Sequence, residues 1–158
     1  MNDYDEILVA LRRITRAIDL HSKKLVKETG LTTSQLIILL AIAKLGCPSA
    51  SAIAREVVLS QATVTSILDR LEKKDYVLRT KAEDDKRVVN VQLTSAGEQK
   101  IQDSPELLQA DFLRKYRKLV EWQRHMLIAS LQQIASMMDA EELDASPVLE
   151  VGDLEKNQ

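Results

Sequence analysis

The stretch 61-QATVTSILDRLEKKDYVLRTKAEDDKRVVNVQLTSAGEQ-99 decides the fold. Val64, Ile67, Leu68 and Leu71 recur at steps of three and four, so a helix over 61–74 turns that face inward. Ser60 is its natural N-cap. From Tyr76 the period drops to two. Tyr76–Lys81 and Arg87–Leu93 read as two strands of an antiparallel hairpin. Its tip is charged: Glu83, Asp84 and Asp85, then Lys86 and Arg87. Thr94-Ser95 offers the cap of a further helix. Most charged tips are only solvated turns, so the meaning of this one depends on its surroundings.

Upstream, residues 5–28 read as a long amphipathic helix. Ile7, Leu11, Ile14, Ile18, His21 and Leu25 form its stripe, and Gly30 is placed to end it. Thr32, Thr33 and Ser34 can cap a second helix over 34–45, apolar almost all round and therefore expected at the centre. Gly46-Cys47-Pro48 stops it. Ser49 or Ser51 caps a short helix near 50–57, and Leu59-Ser60 breaks the chain before the helix at 61. Downstream, Ser104-Pro105 looks like a second start signal, so a break is expected near Asp103. A helix over 106–119 then carries Leu108, Phe112, Tyr116 and Leu119. A last helix over 121–139 carries Leu127, Leu131, Ile134 and Met138. The resulting class is mainly α with a small antiparallel β wing. It is a winged helix-turn-helix domain with N- and C-terminal dimerisation helices. The expected organisation is an N-terminal helix at 1–30, the winged domain at 31–97, C-terminal helices at 98–140 and an acidic flexible tail at 141–158.

The composition suits such a chain: 158 residues, 45% hydrophobic, 29% charged and only 3% aromatic. No apolar run approaches the roughly 20 residues of a membrane span. The first residues lack the pattern of a signal peptide, so a cytoplasmic location is expected. The single cysteine, Cys47, agrees with that. A net charge of −2 speaks against nucleic acid only until it is divided along the chain. Residues 139–158 hold seven acids and one base, a net −6, which leaves +4 on residues 1–138.

A helix that reads DNA needs small polar groups at its start, to sit deep in the major groove. Ser60, Gln61, Thr63, Thr65 and Ser66 supply them, with Arg70 one turn further. Gln can pair with adenine, and Ser and Thr with bases or phosphates. Polar outer faces are common on any helix, so the order of elements carries more weight than the face alone.

At this point the residues resemble those of the MarR family of bacterial transcription regulators. Asp69-Arg70-Leu71-Glu72-Lys73-Lys74, Asp85-Lys86-Arg87 and Leu93-Thr94-Ser95-Ala96-Gly97 match the family's three markers in order. Asp75 stands where the family has glycine; a left-handed helix end accommodates both. The resemblance extends loosely over residues 5–140. It implies a homodimer on a pseudo-palindromic site in double-stranded DNA, acting as a repressor. Ser60, Gln61, Thr63, Thr65, Ser66 and Arg70 fall on the family's reading helix. Lys86 and Arg87 fall on its wing at the minor groove, and Asp85 on the acid that braces the arginine. It also implies a small anionic or aromatic effector.

Other residues carry less. The bases from Arg12 to Lys27 are either a solvated face or the lining of an effector cleft, with Arg13 and Arg16 able to hold a carboxylate. His21 is either an interface histidine, an effector contact or a pH switch. Cys47 reads as a small filler rather than a redox sensor. No metal-ligand spacing, phosphate loop or nucleophile–base pair stands out, so no metal, cofactor or enzymatic activity is expected. The segment 11-LRRITRAIDLHSKKL-25 loosely resembles regulators near ectoine-synthesis operons, which implies an osmotic-stress circuit. The alternative is a winged helix used as a protein-interaction module without specific DNA binding.

Overall fold

The computed structural model describes residues 2–143 and 145–152. Seven helices and a hairpin follow one another. The helices before the hairpin are α1 (Asp3–Thr29), α2 (Thr33–Leu45), α3 (Ala50–Val57) and α4 (Gln61–Lys73). The strands are β1 (Val77–Lys81) and β2 (Val89–Leu93), and the helices after them α5 (Ser95–Asp103), α6 (Leu108–Tyr116) and α7 (Glu121–Met137). They form two compact units. One runs to Pro105 and takes the chain back from Pro147; the other is Glu106–Ser146. No single described helix is long and apolar enough to cross a membrane.

The first unit is built around α2. Leu36, Ile38, Leu39 and Ile42 are no more than 1% exposed, as an all-round apolar helix requires. Its polar start is buried too, so its donors must be satisfied from within. Thr32 and Gln35 do this reciprocally. The Thr32 hydroxyl accepts the Gln35 N–H at 3.3 Å, and the Gln35 amide oxygen accepts the Thr32 N–H at 3.1 Å. The Glu150 carboxyl also belongs to this corner. Burial pushes it up, while the Ser34 hydroxyl and the Ser34 and Thr33 N–H groups draw it part of the way back. Of the acidic tail, residue 144 and residues 153–158 lie outside the described residues.

The end of α1 is held from far along the chain. The Lys74 ammonium donates to the Gly30 carbonyl at 3.0 Å, and that of Lys100 to the Thr29 carbonyl at 2.8 Å. Both cations sit where the helix dipole is negative. Of the stripe expected on α1, only Leu25 is buried within one chain; Ile7 and Ile14 are 44% and 52% exposed.

α3 and α4 are joined by a tight turn in which Val58 takes a left-handed conformation, φ 56° and ψ 47°. A β-branched residue is poorly suited to that region, which costs L-residues about 1–2 kcal/mol. The side chain is 63% exposed and gains little packing in return. Val58→Asn is therefore expected to stabilise the protein by about 1 kcal/mol. The midpoint of a thermal melt should rise by about 2–4 °C; a lower midpoint would mean that the valine packs.

The wing strands pair antiparallel, with Val77 opposite Leu93, Arg79 opposite Val91 and Lys81 opposite Val89. They start one and two residues later than the period suggests. The Thr94 N–H still reaches the Tyr76 carbonyl at 3.0 Å, one step beyond the Val77–Leu93 pair, and Arg87 belongs to the tip. β2 also meets the residues before α3. Ser49 bridges Asn90, and the Val91 N–H donates to the Pro48 carbonyl at 2.7 Å.

In the second unit α6 begins at Leu108, two residues after the start expected from Ser104-Pro105. The proline holds Ser104 extended, at φ −80° and ψ 140°. The Ser104 hydroxyl donates backward to the Lys100 carbonyl at 2.6 Å and so closes α5 rather than opening α6. Glu106 pairs with Arg114, which holds the carboxyl below its usual range. α7 ends at Met137, with Asp139 in a left-handed conformation at φ 53°.

Candidate nucleic-acid interface

The recognition surface starts with what anchors α4. Val64, Ile67, Leu68 and Leu71 are at most 1% exposed. Each contributes about 1.5–3 kcal/mol by full burial, so the helix cannot rotate about its axis. Its opposite face is thereby presented to solvent. Gln61 and Thr65 are exposed there, while Thr63 and Ser66 are half-buried.

Ser60 caps the helix as its type and position require. Its hydroxyl accepts the Thr63 N–H at 3.1 Å and lies 2.8 Å from the Thr63 hydroxyl. Ser60 and Thr63 are thus partly committed to each other. Arg70 is half-buried and already engaged with a neighbour. Ser60, Gln61 and Thr65 are therefore the exposed polar residues at the helix start, with the Ser60 hydroxyl already engaged by Thr63.

At the other end α4 closes with a Schellman turn. The Tyr76 N–H reaches the Leu71 carbonyl at 3.0 Å and the Asp75 N–H the Glu72 carbonyl at 2.9 Å. Asp75 is left-handed at φ 63°, the conformation expected for the position where glycine is usual. This turn aims the hairpin. Thr94 then locks it: its hydroxyl bonds the Asp75 carbonyl and accepts the Gly97 N–H at 3.0 Å, starting α5. The Leu93–Gly97 marker thus serves as an internal fastening.

At the wing tip Lys86 and Arg87 are exposed. The Asp85 carboxylate accepts the backbone N–H of Arg87 at 3.0 Å, and the Asp85 carbonyl accepts that of Val88 at 2.9 Å. The Asp85 carboxylate thus holds the backbone of the turn at Arg87. Arg13, Arg16 and His21 are exposed along α1, and one chain does not enclose them. Among the described residues no group of three or more His, Cys, Asp or Glu could hold a metal ion. Cys47 is exposed, so the expectation of a buried filler does not hold. The turn at Gly46 (φ 88°) carries it outward, while Pro48 takes the buried position beside β2.

Sequence reasoning missed Arg79. It lies on β1 between the acids of α4, paired to Asp69 and, at 3.3 Å, to Glu72. The signal was present. Arg79 shares a strand face with buried Val77, where a charge requires a partner, and Asp69 and Glu72 stand one helical turn apart.

Residues 31–89 match the MarR family. The MarR match takes in α2, α3, α4 and the wing. The chain is 30% identical over 98 residues to the HTH-type transcriptional repressor MdtR of Bacillus subtilis, which covers 62% of this chain and 63% of that protein. It spans from about half to under two thirds of the length of the first curated relatives it matches. A MepR like protein complexed with pseudoligands shares the fold with a TM-score of 0.61 at 22% identity, covering 87% of this chain and 97% of that one. A mutant MarR from E. coli complexed with operator DNA gives 0.57 at 21% identity, covering 85% and 99%. The winged helix with flanking N- and C-terminal helices is therefore the fold of this chain.

Proposed function

We propose that this protein is a transcription repressor that binds a pseudo-palindromic operator as a homodimer. α4 enters the major groove, with Gln61 and Thr65 at base edges and Ser60, Thr63 and Ser66 beside them. Arg70 supports the base of the helix, and Lys86 and Arg87 reach the minor groove or its phosphates. The observation that carries the reading is an exposed polar helix start on a fully buried stripe, followed by a wing whose tip exposes Lys86 and Arg87. The repressor MdtR, similar over 63% of its length, supports the direction of control.

The dimer is supported by the second unit. No described residue of Glu106–Ser146 is buried within one chain. Trp122, Met126 and Leu131 of α7 are 65%, 52% and 54% exposed. Isolated helices of this length are marginal in water, so their apolar faces call for a second copy. A two-fold pair would set two α4 helices about 34 Å apart, one turn of DNA. An anionic or aromatic effector near Arg13, Arg16 and His21 requires a cleft that the dimer completes. What supports an osmotic-stress circuit is the Leu11–Leu25 stretch alone; transcript levels of the neighbouring genes after deletion test it.

A mobility shift with DNA from upstream of its own gene tests the main reading. Specific binding should weaken steeply between 50 and 200 mM salt, roughly 10³-fold or more if six or more phosphates are neutralised across the dimer. Salt-insensitive or absent binding would favour the protein-interaction module instead. Arg87→Ala should lose about tenfold in affinity with the dimer intact. Unchanged affinity would remove the wing from the interface.

A further inference from the structure

We propose that Arg79 is a positioning residue: its two-point ion pair with Asp69 and Glu72 sets the angle between the recognition helix and the wing. Its consequence for DNA rests on the reading of α4 and the wing as a DNA interface; the clamp itself does not.

Three observations carry it. First, the covalent link from α4 to β1 is short, running through Lys74, Asp75 and Tyr76. Between α4 and β1 this link is one attachment; Thr94 and the Val91–Pro48 bond fasten the hairpin elsewhere, at its base and on β2. Arg79 makes a second attachment, in the middle of β1 and opposite fully buried Val91. Two separated attachments define an orientation.

Second, the chemistry of the pair is directional. One terminal nitrogen of the guanidinium hydrogen-bonds Asp69, while its Nε lies 3.3 Å from the Glu72 carboxylate as an ion pair without a hydrogen bond. The direction of the contact therefore comes from the Asp69 arm, and the planar guanidinium keeps its other edge toward Glu72, which a lysine ammonium cannot do. The Arg79 side chain is only 22% exposed, so the contact is partly shielded from water and salt.

Third, the acids stand where DNA would come. Asp69 follows Thr65 by one turn on the exposed face of α4 and is itself 56% exposed. Without a partner, Asp69 and Glu72 would repel phosphates. Arg79 offsets that repulsion from behind, while Lys86 and Arg87 act from the wing tip.

The clamp is tested without DNA. Spin labels at Ala62 and Glu83, in a chain carrying Cys47→Ser and diluted with unlabelled protein, report the helix-to-wing distance. Arg79→Met keeps the aliphatic stem and removes the fork; it should broaden the distance distribution. Arg79→Lys should broaden it less. A Met variant with a distribution as narrow as the parent overturns the clamp. The consequence is tested by a double-mutant cycle on DNA. Arg87→Ala should lose about tenfold in the parent but only about twofold in the Arg79→Met background. An equal loss in both backgrounds overturns the positioning role. A parent that shows no salt-sensitive binding, with the distances behaving as expected, defeats the DNA reading and leaves the clamp standing. If Arg79→Met does not fold, Arg79→Lys with Asp69→Asn carries both measurements.

Discussion

Gly97→Ala is expected to destabilise the protein by about 3 kcal/mol, although it replaces a glycine inside a helix. Two effects compete. Alanine in place of glycine in a helix interior gains about 1 kcal/mol by propensity. Here a Cβ on residue 97 would lie 2.1 Å from the Tyr76 carbonyl oxygen and 3.1 Å from its carbon. Those are backbone atoms, and neither can turn aside. The Tyr76 carbonyl also accepts the Thr94 N–H at 3.0 Å, and its N–H completes the turn that closes α4. Moving the carbonyl therefore disturbs the end of α4, the base of the wing and the start of α5 together. The thermal midpoint should fall by about 6–12 °C. An unchanged or higher midpoint would mean that α5 does not approach the hairpin this closely.

Leu131→Arg is expected to separate the proposed dimer. Leu131 lies in the third turn of α7, is 54% exposed in one chain and has Leu127 (39%) one turn away. α7 has no buried residue of its own, so its stability depends on whatever covers this face. An arginine there places a charge in the contact on both copies, because a two-fold axis doubles every substitution. A loss of 100-fold or more in dimerisation is on the order of 3 kcal/mol, within the range of central interface positions. Sedimentation velocity at micromolar concentration should show a dimer for the parent and a monomer for the variant. Operator affinity should collapse with it, because one half-site remains. A variant that stays dimeric would move the interface off this face of α7.

Much of the fold was legible because local and global requirements agree. The period of Val64, Ile67, Leu68 and Leu71 gave the inward face of α4, and the apolar run in α2 placed it at the centre. The left-handed turn at Asp75 followed from helix-end chemistry. What was not legible depends on partners distant in sequence. Lys74 and Lys100 reach carbonyls 44 and 71 residues away. Nothing near Pro48 announces that its carbonyl will accept a hydrogen bond from Val91. The stripes of α1, α6 and α7 read as faces of dimerisation helices, and most of their residues lie open within one chain. Hydrophobic period records that a face must be covered and not by which copy. At the candidate site, exposure of Gln61 and Thr65 followed from the helical wheel. The commitment of Ser60 to Thr63, and of Asp85 to the backbone of Arg87, required coordinates.

The seating of β2 bears on how the protein behaves when crowded. β2 is paired with β1 on one side and touched by Ser49 and Pro48 on the other, so the open edge of this small sheet belongs to β1. An exposed strand edge is a template for adding foreign strands. β1 is only five residues long and carries Arg79 and Lys81. Shortness and positive charge are the means by which natural sheets discourage edge-to-edge association. Arg79 and Lys81 thus also keep one wing from stacking on another, and a neutral β1 should aggregate more readily during refolding.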